Sequence, residues 1–350
     1  MATQSGTGSY LTFVMQSAFG TPGSTLPATA PGNLRSGSVF TNPSNIHPRL
    51  STGGSTPIAS ASQTWRSYLI TDWQAGFEYT SNSAWVPLLT AAFGKVSGAA
   101  TPWTYTCFNP YHGTTDATPL FYNHLLTIGH GFGGQGTCQT IQDACVSQFT
   151  LSVGTDAPAT MQFSGKGHKF AAAATAPGAP AGTIAEVTGV VFPWNAFVMA
   201  AGSGVYIKAG TPALNTEADS FPLKKFTFTL DNDIQYEAVM ATASGSELKS
   251  PQRGSLANAM IQVETVHDPG AASVDSNDIF SLFAAGTNVD FRAFGLASSG
   301  KSIDLKVTNQ SGMIVSPKID INGDGIVGMS FGIAVLPIAL SDLSLVVTNT

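Results

Sequence analysis

Four groups of residues have types and spacings that could carry chemistry. Gly131-Phe132-Gly133-Gly134-Gln135-Gly136 satisfies GxGxxG, the spacing that lets a backbone approach a pyrophosphate. A dinucleotide site also needs a preceding strand, a helix opening at the last glycine and an acid about 20 residues on. Here Thr137–Val153 continues as an alternating strand and Asp156 falls in a turn, so the run reads as a glycine-rich hairpin loop. Asp320, Asn322, Asp324 and Gly325 imitate the start of a calcium loop, but Phe331 stands where a bidentate Glu is required. Asn-Gly and Asp-Gly between Ile319 and Ile326 fit a tight turn instead. Cys107, His112, His124, His130, Cys138 and Cys145 are ligand types whose successive spacings, 5, 12, 6, 8 and 7, match no zinc finger or ribbon. There is no G-x-S-x-G elbow, and His267-Asp268-Pro269 reads as a polar turn between strand and helix. The expectation is a non-enzyme: no catalytic, cofactor-binding or metal residue, and no cofactor.

The elements under these residues are strands. The organising stretch is Lys224–Glu264: Phe226, Phe228 and Leu230 alternate with Thr227, Thr229 and Asp231, the period of a strand with one buried face. A polar run, Ser244–Ser255, interrupts the chain before alternation resumes through Ala259, Ile261 and Val263. An excursion of that length is usually functional, and with nothing catalytic in it we read it as an arm that contacts another molecule. The pattern occurs earlier as well. Strand Tyr10–Gln16 is followed by Gly20–Thr64, dense in Gly, Pro, Ser and Thr, and a strand returns at Trp65–Tyr79. A helix is predicted over Val86–Phe93, capped by Asn82 or Ser83 and closed by Gly94, and another after Asp278 as its cap, closed by Gly286. Val146–Val153 and Ala159–Ser164 form a hairpin, and alternation recurs at Ile303–Val307 and Met329–Val335.

These matches predict an internal duplication, one unit at 8–170 and another at 222–340. The organisation is then a first β module (1–170) with arm loop 20–64, a connector (171–221), and a second module (222–350) with arm loop 244–255. The connector holds an Ala/Pro/Gly run and an apolar segment, Val190–Met199, read as docking on a domain.

Charged residues are only 10% of the chain, and such a surface would be sticky on a free monomer, which argues for coverage by further copies. The net charge of −6 resides after residue 200, since six basic and six acidic residues precede it. No basic footprint for tight phosphate binding is present. Met1-Ala-Thr-Gln-Ser-Gly has neither a basic nor an apolar signal region, no apolar run has membrane-span length, and no membrane association is expected. Cys107, Cys138 and Cys145 leave one disulfide open, with reduced thiols of a cytoplasmic product as the default.

Taken in order, several segments resemble the tail tube proteins of long-tailed (siphophage-type) bacteriophages. They are Gly20-Thr21-Pro22, the Trp73–Phe93 strand and helix, Ala144–Leu151, Phe226–Asn232 and the Gly325–Ala334 closing strand. The long Gly20–Thr64 segment and the hydrophobic connector depart from that pattern. The resemblance implies tandem β-sandwich modules, each with one short packed helix, whose inner strands join those of neighbours into a barrel. It implies stacked rings, of three chains with pseudo-sixfold symmetry or alternatively of six. It further implies tail tip, tape measure and tail terminator partners, DNA passing through the lumen without specific binding, and a place in the virion tail after assembly in the host cytoplasm. Asp231, Asp233, Glu237 and Glu264 are then candidates for an acidic lumen wall, and Arg35, Arg49, Glu247, Lys249 and Arg253 for arms between rings. Another self-assembling virion or surface-layer shell is a competing reading. So is a carbohydrate-binding β-sandwich using Trp65, Trp73, Trp85, Trp103 or Trp194.

Overall fold

The computed structural model describes residues 9–17, 19–21, 26–27, 29–32, 34–36, 46–48, 64–66, 70–98, 100–107, 126–132, 139–172, 185–186, 189–198, 203–212, 217–236, 252–253, 258–269, 273–297, 300–321, 327–336 and 339–349. Among them the chain is mainly β, with one large antiparallel sheet and two short α-helices.

Alternation builds the inner layer. In chain order its strands and the others used below are β1 (Ser9–Met15), β2 (Leu34–Ser36), β3 (Thr71–Glu78), β4 (Gly94–Ser97), β5 (Trp103–Cys107), β6 (Leu126–Phe132), β7 (Gln139–Gly154), β8 (Ala157–Ala172) and β9 (Gly204–Lys208). They continue as β10 (Lys225–Asp231), β11 (Ile234–Gln235), β12 (Gln252–Arg253), β13 (Asn258–Val266), β14 (Asn288–Leu296), β15 (Ser302–Ile321), β16 (Val327–Val335) and β17 (Leu343–Thr348). Eight lie side by side in the order β2-β3-β8-β7-β10-β13-β16-β15. Their register puts Phe77, Met161, Leu151, Phe228, Ile261, Ile333 and Ile314 in one cross-strand row, all buried. At about 1.5–3 kcal/mol for each large side chain removed from water, rows of this kind hold the sheet.

Two strands are long enough to leave this layer and enter a second. The N-terminal part of β7 pairs with β6, which pairs with β1. The N-terminal part of β15 pairs with β14 on one side and β17 on the other, and β17 carries β5 and β4. So strands that precede residue 108 complete a layer begun near the C-terminus, and one buried cluster runs through both halves.

The helix α1, Val86–Phe93, forms where predicted. Asn82 accepts from the Ala84 N–H and caps the 3-10 turn Ser83–Trp85 that leads into it, and Gly94 ends it at φ 94°. In α2, Ser276–Ala285, the expected cap is corrected: Asp275, not Asp278, stands at the N-cap and accepts from the Asp278 N–H. Asp278 returns a bond to the Asp275 N–H, completing a capping box.

The first excursion is partly laid on the sheet. Leu26 and Ala30 are buried, Thr29–Ala30 pairs in parallel with Ala185–Glu186, and β2 adds to β3. Ile46–Pro48 pairs with Thr64–Arg66, so the expected single strand Trp65–Tyr79 is two strands, the second being β3. The connector is packed too: Val190–Val191 pairs with Thr80–Ser81, and Phe192 and Phe197 are buried.

Candidate assembly interface

The sheet's second face is polar. Its cross-strand rows read Gly76–Gln162–Thr150–Thr229–Met260–Ala334–Met313 and Glu78–Thr160–Ser152–Thr227–Gln262–Gly332–Val315. Its charges come mostly in opposite-signed neighbours. Arg35 on β2 bonds Glu78 (3.1 Å through Nε), Asp72 pairs in register with Lys166, and Lys225 Nζ lies 3.8 Å from Glu264. Lys318 contacts Asp320 and holds that exposed carboxyl below its usual range by hydrogen bonding, against a smaller opposing effect of burial.

The acidic candidates do not gather in one place. Asp231 and Glu264 sit at opposite ends of the β10–β13 pair, opposite Asn258 and Lys225 respectively. Asp231 Oδ1 accepts from the Asp233 N–H (3.0 Å), where Asp233 turns the chain at φ 43°. Among the arm candidates, Arg35 is tied to Glu78 in its own chain and Arg253 lies on β12 opposite Ile234. Glu237, Arg49, Glu247 and Lys249 lie outside the described residues, as do the loop 133–138 and the turn 322–326. The hairpins around those two segments are in place: β6 pairs with β7, and Ile321 pairs with Val327. Among the described residues no group of three or more His, Cys, Asp or Glu is placed to hold a metal ion. Among the described residues no helix is long and apolar enough to cross a membrane.

The two ends of the inner layer differ from its middle. On one side β7 pairs with β8, and on the other its C-terminal part, Gln148–Gly154, pairs with β10. The C-terminal part of β15 pairs with β16, and among the described residues nothing pairs with its other edge over 314–321. Ile319 and Ile321, in register with Met329 and Val327, are 39% and 83% exposed there. The helices follow the same contrast. α1 packs on β7 with Leu88, Leu89 and Phe93 buried, whereas α2 packs on β15 and leaves Phe283 46% exposed. Pro317, Lys318 and the bulge at Ser316 (φ 50°) are devices that keep an edge from pairing indiscriminately. At the far end, among the described residues, β2 pairs with β3 at Gly76–Phe77.

Sequence reasoning missed a buried hub at Asp143, where β7 bulges at φ 53°. Asp143 Oδ1 accepts from Gln16 Nε2 and the Gly20 N–H, both at 2.8 Å, and its own N–H donates to Gln16 Oε1 at 2.7 Å. His168 Nδ1 lies 3.6 Å from Asp143 Oδ2, and the His168 ring stacks on Phe19. The Tyr236 hydroxyl donates to the Asp143 carbonyl and lies 3.3 Å from Cys145 Sγ. Burial pushes the Cys145 thiol up to about 12. The first excursion departs from Gln16–Gly20 and the second from Tyr236, so both leave the sheet at this hub. The only sequence signal was the polar pair Gln142-Asp143 between Ile141 and Ala144-Cys145-Val146.

No protein-family model and no curated protein matches the chain. Among solved structures it is similar to a chain in the virion of a native gene transfer agent (GTA) particle, at 15% identity and a TM-score of 0.28, over 41% of this chain and 95% of that one. It is also similar to a chain in the tail of an empty GTA particle with C6 symmetry, at 15% identity and a TM-score of 0.28, over 42% and 95%.

Proposed function

We propose that this chain is the structural subunit of a phage-type tail tube, three copies closing into a ring and rings stacking into a conduit for DNA. The carrying observation is a joint made inside the chain and left open at its end. The strand order β2-β3-β8-β7 meets β10-β13-β16-β15 through β7 and β10, and the same part of the second hairpin, the edge of β15 over 314–321, has no such partner among the described residues. In the ring the β15 edge takes the β2–β3 edge of the next copy, covering Ile319, Ile321 and α2 as β10 and its neighbours cover β7 and α1. The contact is heterologous, and closure removes the edges.

Three chains of eight inner strands give a barrel of about 24. At a spacing of about 4.8 Å and a tilt of roughly 40°, its circumference is about 150 Å and its backbone diameter about 48 Å. Both halves lie in one sheet, which favours three chains over six with the second half outside. The polar face lines the lumen, with Asp231 and Glu264 on it. Its weak adhesion to DNA comes from Ser, Thr and Gln and from opposite-signed charge pairs more than from an acidic wall, since few cations are left to release counterions from phosphates. The arms reach between rings. Tail tip, tape measure and terminator proteins bound the tube in the virion tail, after assembly in the host cytoplasm.

Negative-stain microscopy with mass measurement across a concentration series tests this. Hollow tubes or rings of three chains are expected. Closed shells or planar arrays would favour a shell protein, and a chain that remains monomeric even with a tail-tip complex would refute the tube.

A further inference from the structure

The connector's 3-10 turn, Trp194–Phe197, the end of β7 and the residues leading into β10 enclose an apolar cavity of about 360 Å3. Its walls are held from behind. Phe197 meets Phe226 edge-on, with ring centroids 5.8 Å apart, and lies over Gly295, where an added Cβ would come within 2.7 Å of the ring. Phe221 packs edge-on against Phe331 at 5.5 Å. The Ser203 hydroxyl donates to the Val198 carbonyl, and Gly204 turns the chain there at φ 140°. A pocket fixed in this way is formed before any ligand arrives. Two features of its lining serve nothing in the fold. Trp194 and Val198 are 46% and 44% exposed at the cavity, whereas Trp73 and Trp85 are 3% and 1% exposed in the core. Lys224 is the one charged residue among the described residues of the lining. Its backbone is tied down, the N–H donating to the Glu264 carbonyl at 2.9 Å and the carbonyl accepting from the Thr155 N–H at 3.1 Å. Its ammonium meets no carboxylate among the described residues, while Lys208, Lys225, Lys306 and Lys318 each have one.

We infer that this cavity binds a small amphiphile, an acyl chain of about ten carbons carrying one anionic head. Size sets the length: a cavity of about 150 Å3 holds benzene, so this one holds roughly a dozen non-hydrogen atoms. The walls set the body. An acyl chain against Val153, Phe197 and Leu223 leaves no polar group unpaired and takes Trp194 and Val198 out of water. A sugar of the same size would turn hydroxyls toward those side chains and lose their hydrogen bonds to water. Charge sets the head, because an anion at Lys224 gains a charge-assisted bond and meets no acidic residue of the described lining. The site lies within one chain and does not depend on the tube.

A free fatty acid and an anionic phospholipid offer the same chemistry, and two arms of one experiment separate them. In the first, decanoate is titrated onto the full-length chain and read by tryptophan fluorescence. Saturable binding with a dissociation constant on the order of 10–100 µM is expected, with a blue shift as Trp194 is covered. Lys224→Met should weaken decanoate about fivefold and leave 1-decanol unchanged, and Val198→Asp should weaken both about tenfold. Both substitutions fall at exposed positions, and native-like urea unfolding confirms that each variant is folded. In the second arm the chain is floated with phosphatidylglycerol vesicles. Flotation that Val198→Asp removes assigns the acyl chain to a bilayer lipid, decanoate binding without flotation assigns it to a free acid, and either supports the site. The site is overturned if millimolar decanoate gives no saturation and vesicles give no flotation, or if binding is indifferent to Val198→Asp. Equal weakening of decanoate and 1-decanol by Lys224→Met refutes the anionic head, and saturable binding of glucuronate in place of decanoate refutes the acyl chain.

Discussion

Asn232 offers a direct test of how the halves are joined. It is buried just beyond β10, and its Nδ2 donates to the Ala92 carbonyl (2.7 Å) and to the Val146 carbonyl (3.2 Å). Its backbone N–H donates to the Ser147 carbonyl at 2.7 Å. Ala92 belongs to the last turn of α1, whose carbonyls have no donor within the helix. Asn232→Ala removes these two side-chain bonds and leaves two buried acceptors, at about 1–2 kcal/mol each. The expected loss is about 2–4 kcal/mol, a fall in Tm on the order of 5 °C. Asn232→Asp is sharper, because the same shape now points a carboxylate at two carbonyls. Those neighbours and burial raise the folded-state pKa above the unfolded value of about 3.9. A raised carboxyl adds no penalty below the unfolded value and its full penalty above the folded one, so the variant loses stability relative to native as pH rises. Urea unfolding at pH 4 and pH 8 should show Asn232→Asp below Asn232→Ala at pH 8, with the gap closing at pH 4. A change under about 0.5 kcal/mol for Asn232→Ala, or a pH-independent Asn232→Asp, would refute the reasoning.

Three further outcomes are expected. Ile321→Lys should leave the monomer within about 0.5 kcal/mol of native, because the side chain is already exposed, yet abolish rings; sedimentation velocity reads the loss, and intact rings would remove the β15 edge from assembly. Cys107 and Cys145 are buried, and the Cys145 thiol is pushed up to about 12, so Ellman's reagent at pH 8 should reach at most one of the three cysteines before urea and all three after. Asp290 is raised by burial, opposed by the bond it accepts from the Gln310 N–H at 2.5 Å and assisted by Asp342. It therefore weakens the fold increasingly as pH climbs from the unfolded carboxyl value through the folded one. Asp290→Asn should gain on native between pH 4 and pH 8 in urea melts, and equal differences at both pH values would contradict the burial argument.

What could be read from the sequence was what repeats locally. Phe226, Phe228 and Leu230 against Ile261 and Val263 declare a buried face because period two is visible within one strand. The stripe ending at Phe93-Gly94 declares α1 in the same way. The cap of α2 was misplaced because Asp275 and Asp278 are both capping residues three apart, and only the backbone at Asp275, extended at φ −109°, distinguishes N-cap from N3. The Asp143 hub was invisible for another reason: its main partner, Gln16, is 127 residues away. The pairing of Glu264 with Lys225 depends on cross-strand register. Edge status is less local still, since Ile319 and Ile321 alternate like any core strand and are exposed only because of which strand stands last.

The β7–β10 joint inside one chain has a consequence for the assembly proposed above. Within one chain the β7–β10 joint forms during folding, sealed by Asn232 and by β5 pairing with β17, so it bears no loss of translational freedom on association. The proposed ring of three would need three intermolecular joints where a ring of single modules would need six. Each remaining joint can be weaker without the ring becoming rarer, because the covalent link holds alternate modules at high effective concentration. That suits the edge observed on β15, where two exposed isoleucines invite a partner while Pro317, the bulge at Ser316 and Lys318 reject a badly registered one. A strong, featureless edge would pair with any strand in a crowded cell. In the proposed ring, a conditional edge of this kind pairs with the strand that matches it.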